Sequence, residues 1–536
     1  MNSIMGFVPC FIGEHNHLKS GTYTMFTRLY SGALAGVDAV EVEIEVNEGG
    51  GDPKMIIVGL PDAAVKESRD RVWTAVGNSG YARPKGRVTV NLAPADIRKQ
   101  GPSFDLAIAL GLVVLQEAFE DGALEQTAVF GELALNGYVR EVKGMLSLAE
   151  SSRNAGRKSI IVPMGNVTEA SLISGIDVYG VSNLRQAVEL LKGSSGRIPE
   201  CIDREGLFKS NKNHEIDYSE VKGQQHVKRA IEVAVAGNHN ILMIGPPGTG
   251  KSMLAKRMVT IMPDMSERES IATTKVHSVA GQINGSERIL VTRPFRSPHH
   301  TVSEAGLLGG SQNPRPGEVS LSHHGVLFLD ELPEFRRSAL EVMRQPLEDG
   351  KVVIARASST VTFPARFMLV AAMNPCPCGF LGDPNRGCRC TPNQIAHYRQ
   401  RISGPLMDRI DLHVDVPAIP YKELSGMKEA ESSKSIRQRV AGARSLQSAR
   451  FLNDMGSVAN NASMTTRLIQ KHCRLDNEGS ELLEQAMDRL HFSARGHSRI
   501  LKVSRTIADL GGAPDIKAEH VLEAIQYRSF DRKSAV

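Results

Sequence analysis

A glycine-rich segment near the middle of the chain constrains the fold more than any other feature. Residues 245–252 read G-P-P-G-T-G-K-S and match G-x-x-x-x-G-K-[ST] at every fixed position. The apolar residues 241–244 before it predict a buried strand, and residues 253–261 after it predict a helix. This strand–loop–helix order is what a P-loop requires, because loop N–H groups and a helix N-terminus together bind phosphate.

Each residue type in this loop has a chemical role. Lys251 is predicted to reach the β- and γ-phosphates, and the Ser252 hydroxyl is predicted to bind Mg²⁺. A chance glycine turn is the alternative, and the flanking strand and an acidic motif downstream disfavour it. We therefore predict that the whole loop binds the nucleotide: Gly245, Pro246, Pro247, Gly248, Thr249, Gly250, Lys251 and Ser252.

A second apolar stretch ends in two carboxylates. Residues 325–331 read G-V-L-F-L-D-E. Asp330 is predicted to hold Mg²⁺ and Glu331 to polarise the attacking water, which is the division of labour in ATPases. Alone, such a pair would suit a solvated turn. Downstream of a P-loop, it is the expected second half of a nucleoside triphosphate site.

Length and composition indicate a multidomain globular protein. The chain has 536 residues, enough for three or four domains at the usual domain size. Hydrophobic residues make up 41% and charged residues 23%, and no apolar run approaches the ~18 residues of a membrane helix. The N-terminus lacks the basic segment of a signal peptide. We expect a cytoplasmic protein without a membrane partner, whose net charge of +5 permits a nucleic-acid partner without demonstrating one.

Four of the seven cysteines are clustered in one short segment. Cys376, Cys378, Cys388 and Cys390 form two C-x-C pairs separated by a Gly/Pro/Asn-containing loop. Such clustering fits metal binding in a reducing cytosol better than a disulfide framework. Four thiolates suit tetrahedral Zn²⁺, whereas an iron–sulfur cluster and four unligated thiols remain open as alternatives.

The N-terminal third alternates between strand and helix patterns. Residues 37–47 alternate apolar and acidic positions, which predicts a half-exposed strand, and residues 104–115 predict an apolar helix. Residues 1–24 show no clear period. The Gly/Ser-containing and polar residues 193–215 read as a linker.

The residues after the Asp330–Glu331 motif suggest a basic surface. Two β-rich arms flank a polar segment and predict a hairpin, with Arg356 near its tip. Arg356 is either a phosphate contact or an ordinary exposed arginine. Residues 435–451 predict a helix carrying Arg437, Arg439, Arg444 and Arg450, which form either a solvated face or a phosphate track.

Several longer segments resemble the ComM/YifB family of magnesium-chelatase-like AAA+ ATPases, from Met25 onwards. In the N-terminal part the resemblance rests on residues 59–72, 91–111 and 131–144, which are similar to a Lon-protease-type domain. The resemblance implies an α/β fold class. Its parts are a Lon-type α+β domain, a P-loop AAA+ core with inserted hairpins and a cysteine cluster, and an all-α lid.

The implied domains follow the chain in order. They are an N-terminal extension at 1–24, a Lon-like domain at 25–192, a linker at 193–215, the AAA+ core at 216–420, a basic helical connector at 421–460, and a helical lid at 461–536.

The Lon-like domain is predicted to be non-catalytic. Ser103 occupies the place of the Lon-type nucleophile, and a Ser–Lys dyad needs a lysine to take its proton. Leu146 occupies the place of that lysine, while Lys143 is nearby but out of register. We therefore expect a structural or nucleic-acid-handling role, and a turn residue is the simpler reading of Ser103.

The resemblance also implies roles for single residues. Residues 221–224 would lie beside the adenine, and Asn374, after an apolar strand, would be the sensor 1 residue that orients water or senses the γ-phosphate. Arg409 would be an arginine finger that completes a neighbour's site; its alternative is a salt bridge with Asp411. In the lid, Arg495 is the first choice for sensor 2 and Arg499 the second.

His299 and His300 could be metal ligands, but we disfavour this interpretation. His299 and His300 are adjacent within the segment R-P-F-R-S-P-H-H, which in the related families belongs to an insertion facing a ring pore. Adjacent side chains on a loop rarely point at one ion, and ligands with better spacing are found elsewhere in the chain.

The resemblance implies a homo-hexameric ring that uses ATP and Mg²⁺, and the four cysteines themselves favour a structural Zn²⁺ ion. The substrate of the ring would be single-stranded and branched DNA, held with low sequence specificity, and its role would be branch migration during natural transformation. A magnesium-chelatase subunit and a protein-remodelling ATPase are the alternatives. The first is disfavoured because the likeness to chelatase motor subunits is expected to cover only the ATPase part. A low aromatic content of 5% offers few stacking platforms for single strands.

Overall fold

The computed structural model describes two compact units. The described residues are 25–117, 119, 122–194, 196–210, 215–283, 289–310, 314–356, 359–383, 386–418, 430–452, 458–490 and 492–528. The first unit comprises residues up to 33, 40–142 and 148–200, and the second comprises 34–39, 143–147 and the residues from 201 onwards. The predicted extension at 1–24 lies outside the described residues. Among the helices of the described residues, none has both the length and the apolar character needed to cross a membrane.

The first unit is built on a seven-stranded mixed sheet with the order β3-β4-β2-β1-β5-β8-β9. Its strands are β1 Met25–Ala35, β2 Asp38–Gly49, β3 Lys54–Val58, β4 Arg87–Ala93, β5 Thr127–Val129, β8 Ser159–Pro163 and β9 Asp177–Val181, and a separate small ladder joins β6 Glu132–Leu133 to β7 Val139–Arg140. The predicted half-exposed strand is confirmed, because Val42, Ile44 and Val46 are fully buried while the residues between them are partly exposed.

Helices cover this sheet, and one of them is almost entirely buried. The helices of this part of the chain are Ala63–Asn78, Asp105–Val114, Ala123–Gln126, Met145–Asn154, Val167–Ala170 and Leu184–Leu191. The predicted apolar helix is present as Asp105–Val114. Its first residue, Asp105, is fully buried, and Arg71 Nε donates to Asp105 Oδ2 at 3.0 Å. This ion pair compensates a charge that burial alone would disfavour.

The second unit contains a five-stranded sheet with the order β11-β12-β15-β10-β16. Its strands are β10 Ile241–Ile244, β11 Phe295–Arg296, β12 Val326–Leu329, β15 Met368–Met373 and β16 Leu412–Asp415, and every neighbouring pair is parallel. Alternate residues of β10 enter two different cores: Ile241 and Met243 face one, Leu242 and Ile244 the other. The sheet is therefore buried on both faces at this strand, which explains why its three central strands, β12, β15 and β10, are continuous apolar runs.

The register of this sheet aligns the ends of its central strands. Ile244 at the end of β10 pairs with Met373 of β15 on one side and with Asp415 of β16 on the other. Leu329, at the end of β12, pairs with Ala371. The chain segments that leave β10, β12 and β15 therefore begin at one edge of the sheet, where ligands of parallel α/β sheets bind.

Helices and one hairpin complete the second unit. The helices between residues 204 and 407 are Arg204–Ser210, Gln225–Gly237, Lys251–Ile261, Glu267–Ala280, Glu304–Leu308, Glu318–Leu321, Arg337–Glu341, Arg344–Asp349, Pro392–Gln400 and Gly404–Met407. The first of them lies inside the segment predicted as a linker. The strands β13 Lys351–Arg356 and β14 Ser359–Pro364 form an antiparallel hairpin.

The C-terminal part is helical. Its helices are Ser433–Phe451, Thr466–His472, Asn477–Leu490, Ala494–Leu510 and Ala518–Gln526. Their apolar residues join the core on the Ile241 face of the five-stranded sheet. The chain as a whole is thus a mixed α/β protein with a parallel-sheet core, as predicted.

Candidate nucleotide site and cysteine cluster

The glycine-rich loop connects β10 to the helix Lys251–Ile261. Gly248 and Gly250 have φ values of 82° and 85°, in the left-handed region that glycine adopts at low cost. A Cβ atom at either position would meet nothing within 4 Å. These glycines are therefore required by the backbone conformation of the loop and not by crowding.

Lys251 lies across the mouth of this loop. Its Nζ donates to Gly245 O at 2.7 Å and to Pro246 O at 2.9 Å, and it lies 3.4 Å from Asn374 Oδ1. Burial lowers the pKa of Lys251, while the charges of Asp330 and Glu331 oppose that shift. A phosphate group at the loop would offset the same burial cost and favour the charged form.

Ser252 and Asp330 are brought together from two separate motifs. The Ser252 hydroxyl donates to Asp330 Oδ2 at 2.6 Å. A hydroxyl and a carboxylate at this spacing suit Mg²⁺, which takes a few protein oxygens and completes its octahedron with phosphate oxygens and water. The residues present therefore fit the predicted ion, with Ser252 and Asp330 as its protein ligands.

Glu331 follows in an uncommon backbone conformation. Its φ is 52°, a value that costs a non-glycine residue free energy and is found most often at functional sites. Its side chain is 56% exposed, and its Oε2 lies 3.6 Å from His300 Nδ1. From the sequence alone, His300 was weighed only as a metal ligand. The useful signal was its position just after β11, the strand that pairs with β12 and so lies beside Glu331.

Two further predicted residues reach the same loop. Asn374 follows the end of β15 and lies close to Lys251 Nζ, as given above. Gln224 Nε2 donates to Thr249 O and to Pro417 O, both at 3.0 Å. The segment 221–224 therefore contacts the P-loop, and its role beside the adenine stays a prediction.

Two predicted arginines, the arginine finger Arg409 and the sensor 2 candidate Arg495, lie together at a different place. Arg409 is 6% exposed; its Nη1 donates to Pro405 O at 2.5 Å, and its Nη2 pairs with Glu348. Arg495 Nη2 lies 3.9 Å from the same oxygen, Glu348 Oε1. Arg409 chiefly, and Arg495 with it, lower the pKa of Glu348. The carboxylate of Glu348 thus lies within ion-pair distance of two predicted site residues, Arg409 and Arg495.

The alternative salt bridge between Arg409 and Asp411 is wrong. Asp411 is buried, and its partner is Arg499. Asp411 Oδ2 also accepts the backbone N–H of Asn240 at 3.1 Å and lies 3.5 Å from His239 Nδ1. Arg499 therefore belongs to a buried network, whereas the side chain of Arg495 is 60% exposed.

The basic helix Ser433–Phe451 packs against its neighbours, and the side chain of Arg439 on it is still 43% exposed. Its four predicted arginines contact groups of this chain: Arg437 Nε donates to Thr260 O at 2.8 Å, Arg439 Nε to Glu232 at 2.6 Å, Arg444 Nη2 to Val235 O at 3.0 Å, and Arg450 Nη1 to Asp509 at 2.9 Å. These side chains hold the helix to its neighbours. A phosphate track along this helix stays a prediction.

Arg356 keeps its predicted position on the hairpin. It ends β13, is exposed, and pairs in register with Ser359 of β14. The two residues between these strands, 357 and 358, lie outside the described part of the chain.

The four clustered cysteines converge as predicted. Their Sγ atoms lie within 4.8 Å of one another, and three of the separations are 3.4 Å (Cys376–Cys378), 3.6 Å (Cys376–Cys388) and 3.7 Å (Cys378–Cys388). Four sulfurs at about 2.3 Å from one zinc ion would lie about 3.8 Å apart in a tetrahedron. The observed spacings are close to this value, so the residues fit a Zn²⁺ ion.

Backbone N–H groups support the same cluster. Cys378 N–H donates to Cys390 Sγ and Cys390 N–H donates to Cys388 Sγ, both at 3.4 Å. Hydrogen bonds from the backbone of Arg389 and Phe380 lower the pKa of Cys378 to about 6. A thiolate at this position is a better metal ligand than a thiol, because the thiolate is the coordinating form.

The structure describes Ser103 and Leu146, the two residues at the positions of the Lon-type dyad. Ser103 precedes the helix Asp105–Val114, and its carbonyl accepts the Gly131 N–H at 3.0 Å. Leu146, in the place of the lysine, is fully buried. The non-catalytic role of this domain stays a prediction.

Comparisons with known proteins identify similar chains. Three protein-family models match, described as "Magnesium chelatase, subunit ChlI" at residues 217–424, "Subunit ChlI of Mg-chelatase" at 42–166 and "Magnesium chelatase, subunit ChlI C-terminal" at 430–528. The chain is 42% identical to competence protein ComM of Haemophilus influenzae and 41% identical to the uncharacterized protein YifB of Escherichia coli, in each case over 94% of this chain and 97% of the relative. It is also 27% identical to Lon protease 2 of Bacillus subtilis, over 26% of each chain.

One sequence-based expectation is wrong in the light of these matches. The likeness to chelatase subunits was expected to cover only the ATPase part. A model described by the chelatase subunit also matches residues 42–166, in the N-terminal part of the chain. The N-terminal part therefore does not separate this chain from chelatase subunits.

Proposed function

The chain belongs to the ComM/YifB family of magnesium-chelatase-like AAA+ proteins, as predicted, and on that premise we propose that it is an ATPase that moves DNA as a homo-hexameric ring. The ATPase part rests on one observation above all: Ser252 of the P-loop donates to Asp330, the residue after β12, at 2.6 Å. Two motifs far apart in sequence meet there, at the sheet edge where Lys251, Glu331 and Asn374 also lie.

Each of these side chains has a distinct task in the proposed reaction. Lys251 neutralises phosphate charge, since its Nζ already crosses the loop mouth. Ser252 and Asp330 hold Mg²⁺, which, when bound, screens the charge of the phosphates during transfer. Glu331 orients and polarises the attacking water, and Asn374 positions that water or the γ-phosphate from the side of Lys251. Most of the catalytic effect would come from positioning and electrostatics.

The ring part rests on Arg409 and Arg495. Both pair with Glu348, a residue outside the P-loop. An arginine that completes a neighbour's site stabilises transition-state charge and makes hydrolysis depend on assembly. We propose Arg409 as that arginine and Arg495 as the sensor 2 residue at the same interface. On assembly, Arg409 would exchange Glu348 for a phosphate of the adjacent subunit.

The DNA part rests on a relative and on the hairpin. ComM of Haemophilus influenzae is named a competence protein, and competence requires handling of incoming DNA. The exposed Arg356 on the hairpin β13–β14 offers a cation of the type that binds phosphates rather than bases. We propose that single-stranded and branched DNA is held with low sequence specificity and that hydrolysis drives branch migration in natural transformation. Such a protein would work in the cytoplasm.

The cysteine cluster is proposed to hold one structural Zn²⁺ ion. Cys376, Cys378, Cys388 and Cys390 supply four sulfurs at spacings close to those of a tetrahedral zinc site. All four tetrahedral positions would be filled by protein, as in structural sites, so no position would be left for substrate.

Steady-state ATP hydrolysis by the purified full chain, measured with different effectors, tests this function. The effectors are a poly-deoxythymidine strand, a duplex, a four-way DNA junction, protoporphyrin and unfolded casein. Stimulation by the junction and the single strand, but by neither porphyrin nor casein, is expected. Failure of every DNA to stimulate hydrolysis would contradict the DNA part. Failure of Mg²⁺-dependent hydrolysis itself would contradict the ATPase part.

A chelatase-like role is the second candidate, because all three matching family models are described by the chelatase subunit. In that case, protoporphyrin would be the one effector of the set that stimulates ATP hydrolysis. Junction migration, followed as strand separation on a gel, would then be absent.

A further inference from the structure

We propose that the cysteine cluster braces the ATP site, so that metal occupancy and nucleotide binding are coupled although the metal would never touch the nucleotide. This inference rests on the proposed ATPase function. The proposed coupling concerns how the cysteine cluster holds the P-loop and Asn374 in position.

The first connection is along the chain. β15 ends at Met373, Asn374 follows, and Cys376 comes two residues later. Cys376 is fully buried, and its Sγ lies 3.4 Å from that of Cys378 and 3.6 Å from that of Cys388. An ion held by these sulfurs would therefore fix the backbone immediately after Asn374.

The second connection is through packing against the P-loop. The turn from Cys376 to Gly379 is closed by a hydrogen bond from Gly379 N–H to Cys376 O at 2.9 Å, and Gly379 has a φ of 84°. A Cβ atom at Gly379 would lie only 2.7 Å from Pro247 Cδ and 3.9 Å from Asn374 Cγ. The backbone of the cysteine turn thus lies directly on the phosphate-binding loop, in a space that admits no side chain.

The cluster needs an ion to hold its two arms together. Between Pro375 and Thr391 the described residues form turns and irregular backbone, without a helix or a strand. Among the described residues, the contacts between the Cys376–Cys378 arm and the Cys388–Cys390 arm include sulfur–sulfur approaches and hydrogen bonds from backbone N–H groups to sulfur. Neutral thiols attract one another weakly, whereas metal binding supplies folding free energy to such a segment.

A reciprocal effect follows from thermodynamics. If the metal orders the turn that supports Pro247 and Asn374, it raises nucleotide affinity. Nucleotide must then raise metal affinity by the same factor. Coupling of this kind is commonly about 5- to 150-fold.

The chain offers a matched pair of variants. Gly379 and Gly382 lie in the same segment, with φ values of 84° and 78°. A Cβ atom at Gly382 would meet nothing within 4 Å, whereas one at Gly379 would collide with Pro247. Gly379→Ala and Gly382→Ala therefore carry the same backbone strain, and only Gly379→Ala disturbs the contact with the P-loop.

The experiment measures three quantities on the full chain: zinc content, the Kd of a fluorescent ATP analogue with Mg²⁺, and the rate of zinc release to a chromogenic chelator with and without the analogue. Both variants are expected to keep zinc. Gly379→Ala should weaken nucleotide binding by about fivefold or more, within the usual range of coupling, and Gly382→Ala should bind like the wild type. In the wild type, the analogue should slow zinc release; in Gly379→Ala, this protection should disappear.

Several results would overturn the coupling. They are a wild-type protein that releases zinc at the same rate with and without nucleotide, a Gly379→Ala variant that binds nucleotide like the wild type, or a chain that holds no zinc. None of these results would contradict the ATPase assignment, which is tested separately by nucleotide binding and Mg²⁺-dependent hydrolysis in the wild type. The wild-type release measurement requires no variant, so it decides the matter even if Gly379→Ala does not fold.

Discussion

The carboxylate of Asp411 forms an ion pair with the guanidinium of Arg499, and this pair connects β16 to the long helix Ala494–Leu510. Asp411 is almost fully buried. Burial by itself would raise its pKa, yet the charge of Arg499 and the contact with His239 hold that pKa well below its ordinary value. The pair therefore stabilises the junction between the sheet and the C-terminal helices.

Arg499→Ala and Arg495→Ala should affect different properties. Arg499→Ala leaves a buried carboxylate without its partner, which should lower the free energy of unfolding by about 3–5 kcal/mol. Arg495→Ala removes an exposed side chain and should change stability by less than ~0.5 kcal/mol, but should slow turnover on the order of 10²-fold if Arg495 is the sensor 2 residue. Thermal melting and steady-state hydrolysis separate the two. Equal loss of stability in both variants would contradict this division.

The sequence could not distinguish these two arginines. They lie four residues apart on one helix, and the partner that separates their roles, Asp411, lies far away in sequence. The contacts of the basic helix could not be predicted for the same reason. The acceptors of its arginines include Thr260 O, Val235 O and Asp509, and none of these is visible from local charge patterning.

By contrast, the convergence of the candidate nucleotide-site residues was predictable because its information is local. The P-loop, the carboxylate pair and Asn374 each follow an apolar strand. Parallel pairing brings the ends of those three strands to one edge of the sheet. The cysteines were also predictable from spacing. The contact of Gly379 with Pro247 was not, because it depends on the backbone path of an irregular turn.

Lys251→Ala and Glu331→Gln should fail at different steps. Without Lys251, the phosphate charge loses its main cation, so nucleotide binding should weaken strongly. Glu331→Gln keeps the size of the side chain but cannot polarise water, so it should bind ATP with nearly normal affinity and hydrolyse it at least ~10²-fold more slowly. Fluorescent-nucleotide titration and single-turnover hydrolysis measure the two steps. Wild-type turnover in either variant would contradict the site.

Stability should fall in mild acid because of a buried histidine. Burial, followed by the neighbouring charges of His324 and Arg366, lowers the pKa of His323 to about 2, and its Nδ1 accepts the Arg366 N–H at 3.0 Å. The folded state thus keeps His323 neutral, whereas the unfolded chain takes up a proton below pH ~6.5. The stabilising contribution is complete above that pH and is lost as the pH falls towards the folded pKa, by about 1.4 kcal/mol per pH unit.

His323→Asn should reduce this pH dependence. Asparagine keeps an acceptor for the Arg366 N–H and does not titrate. Between pH 7 and pH 5, its melting midpoint should fall less steeply than that of the wild type, even if its midpoint at pH 7 is lower. Identical slopes would show that His323 is not a source of the acid sensitivity.

Arg356→Ala should weaken DNA binding with little dependence on sequence. A phosphate contact contributes through counterion release, so its loss should reduce the slope of log affinity against log salt by roughly 1. Lys351→Ala is the matched control, because Lys351 is an exposed cation at the base of the same hairpin. Equal effects of the two substitutions would indicate a general charge effect. No effect of Arg356→Ala on junction binding or migration would remove the hairpin from the DNA path.

The dependence of hydrolysis on assembly can be tested by mixing two inactive variants. In the isolated chain, Arg409 pairs with Glu348, and Lys251 lies at the P-loop, so the proposed complete site needs Lys251 of one subunit and Arg409 of the next. Arg409→Ala should therefore bind ATP but turn it over about 10³-fold more slowly or worse. Lys251→Ala should not bind ATP well. Each variant is inactive because of a defect on a different side of the interface.

A mixed ring contains some interfaces in which an intact Lys251 faces an intact Arg409. Random mixing in equal amounts should therefore restore part of the ATPase activity, and the restored activity should fall on dilution as the rings dissociate. Glu348→Gln supplies a further check, because it removes the resting partner of Arg409 without removing the arginine itself. If Arg409→Ala hydrolyses ATP normally, or if mixing restores nothing while both variants still form mixed rings, then Arg409 does not complete a neighbour's site, and the ring is not required for hydrolysis.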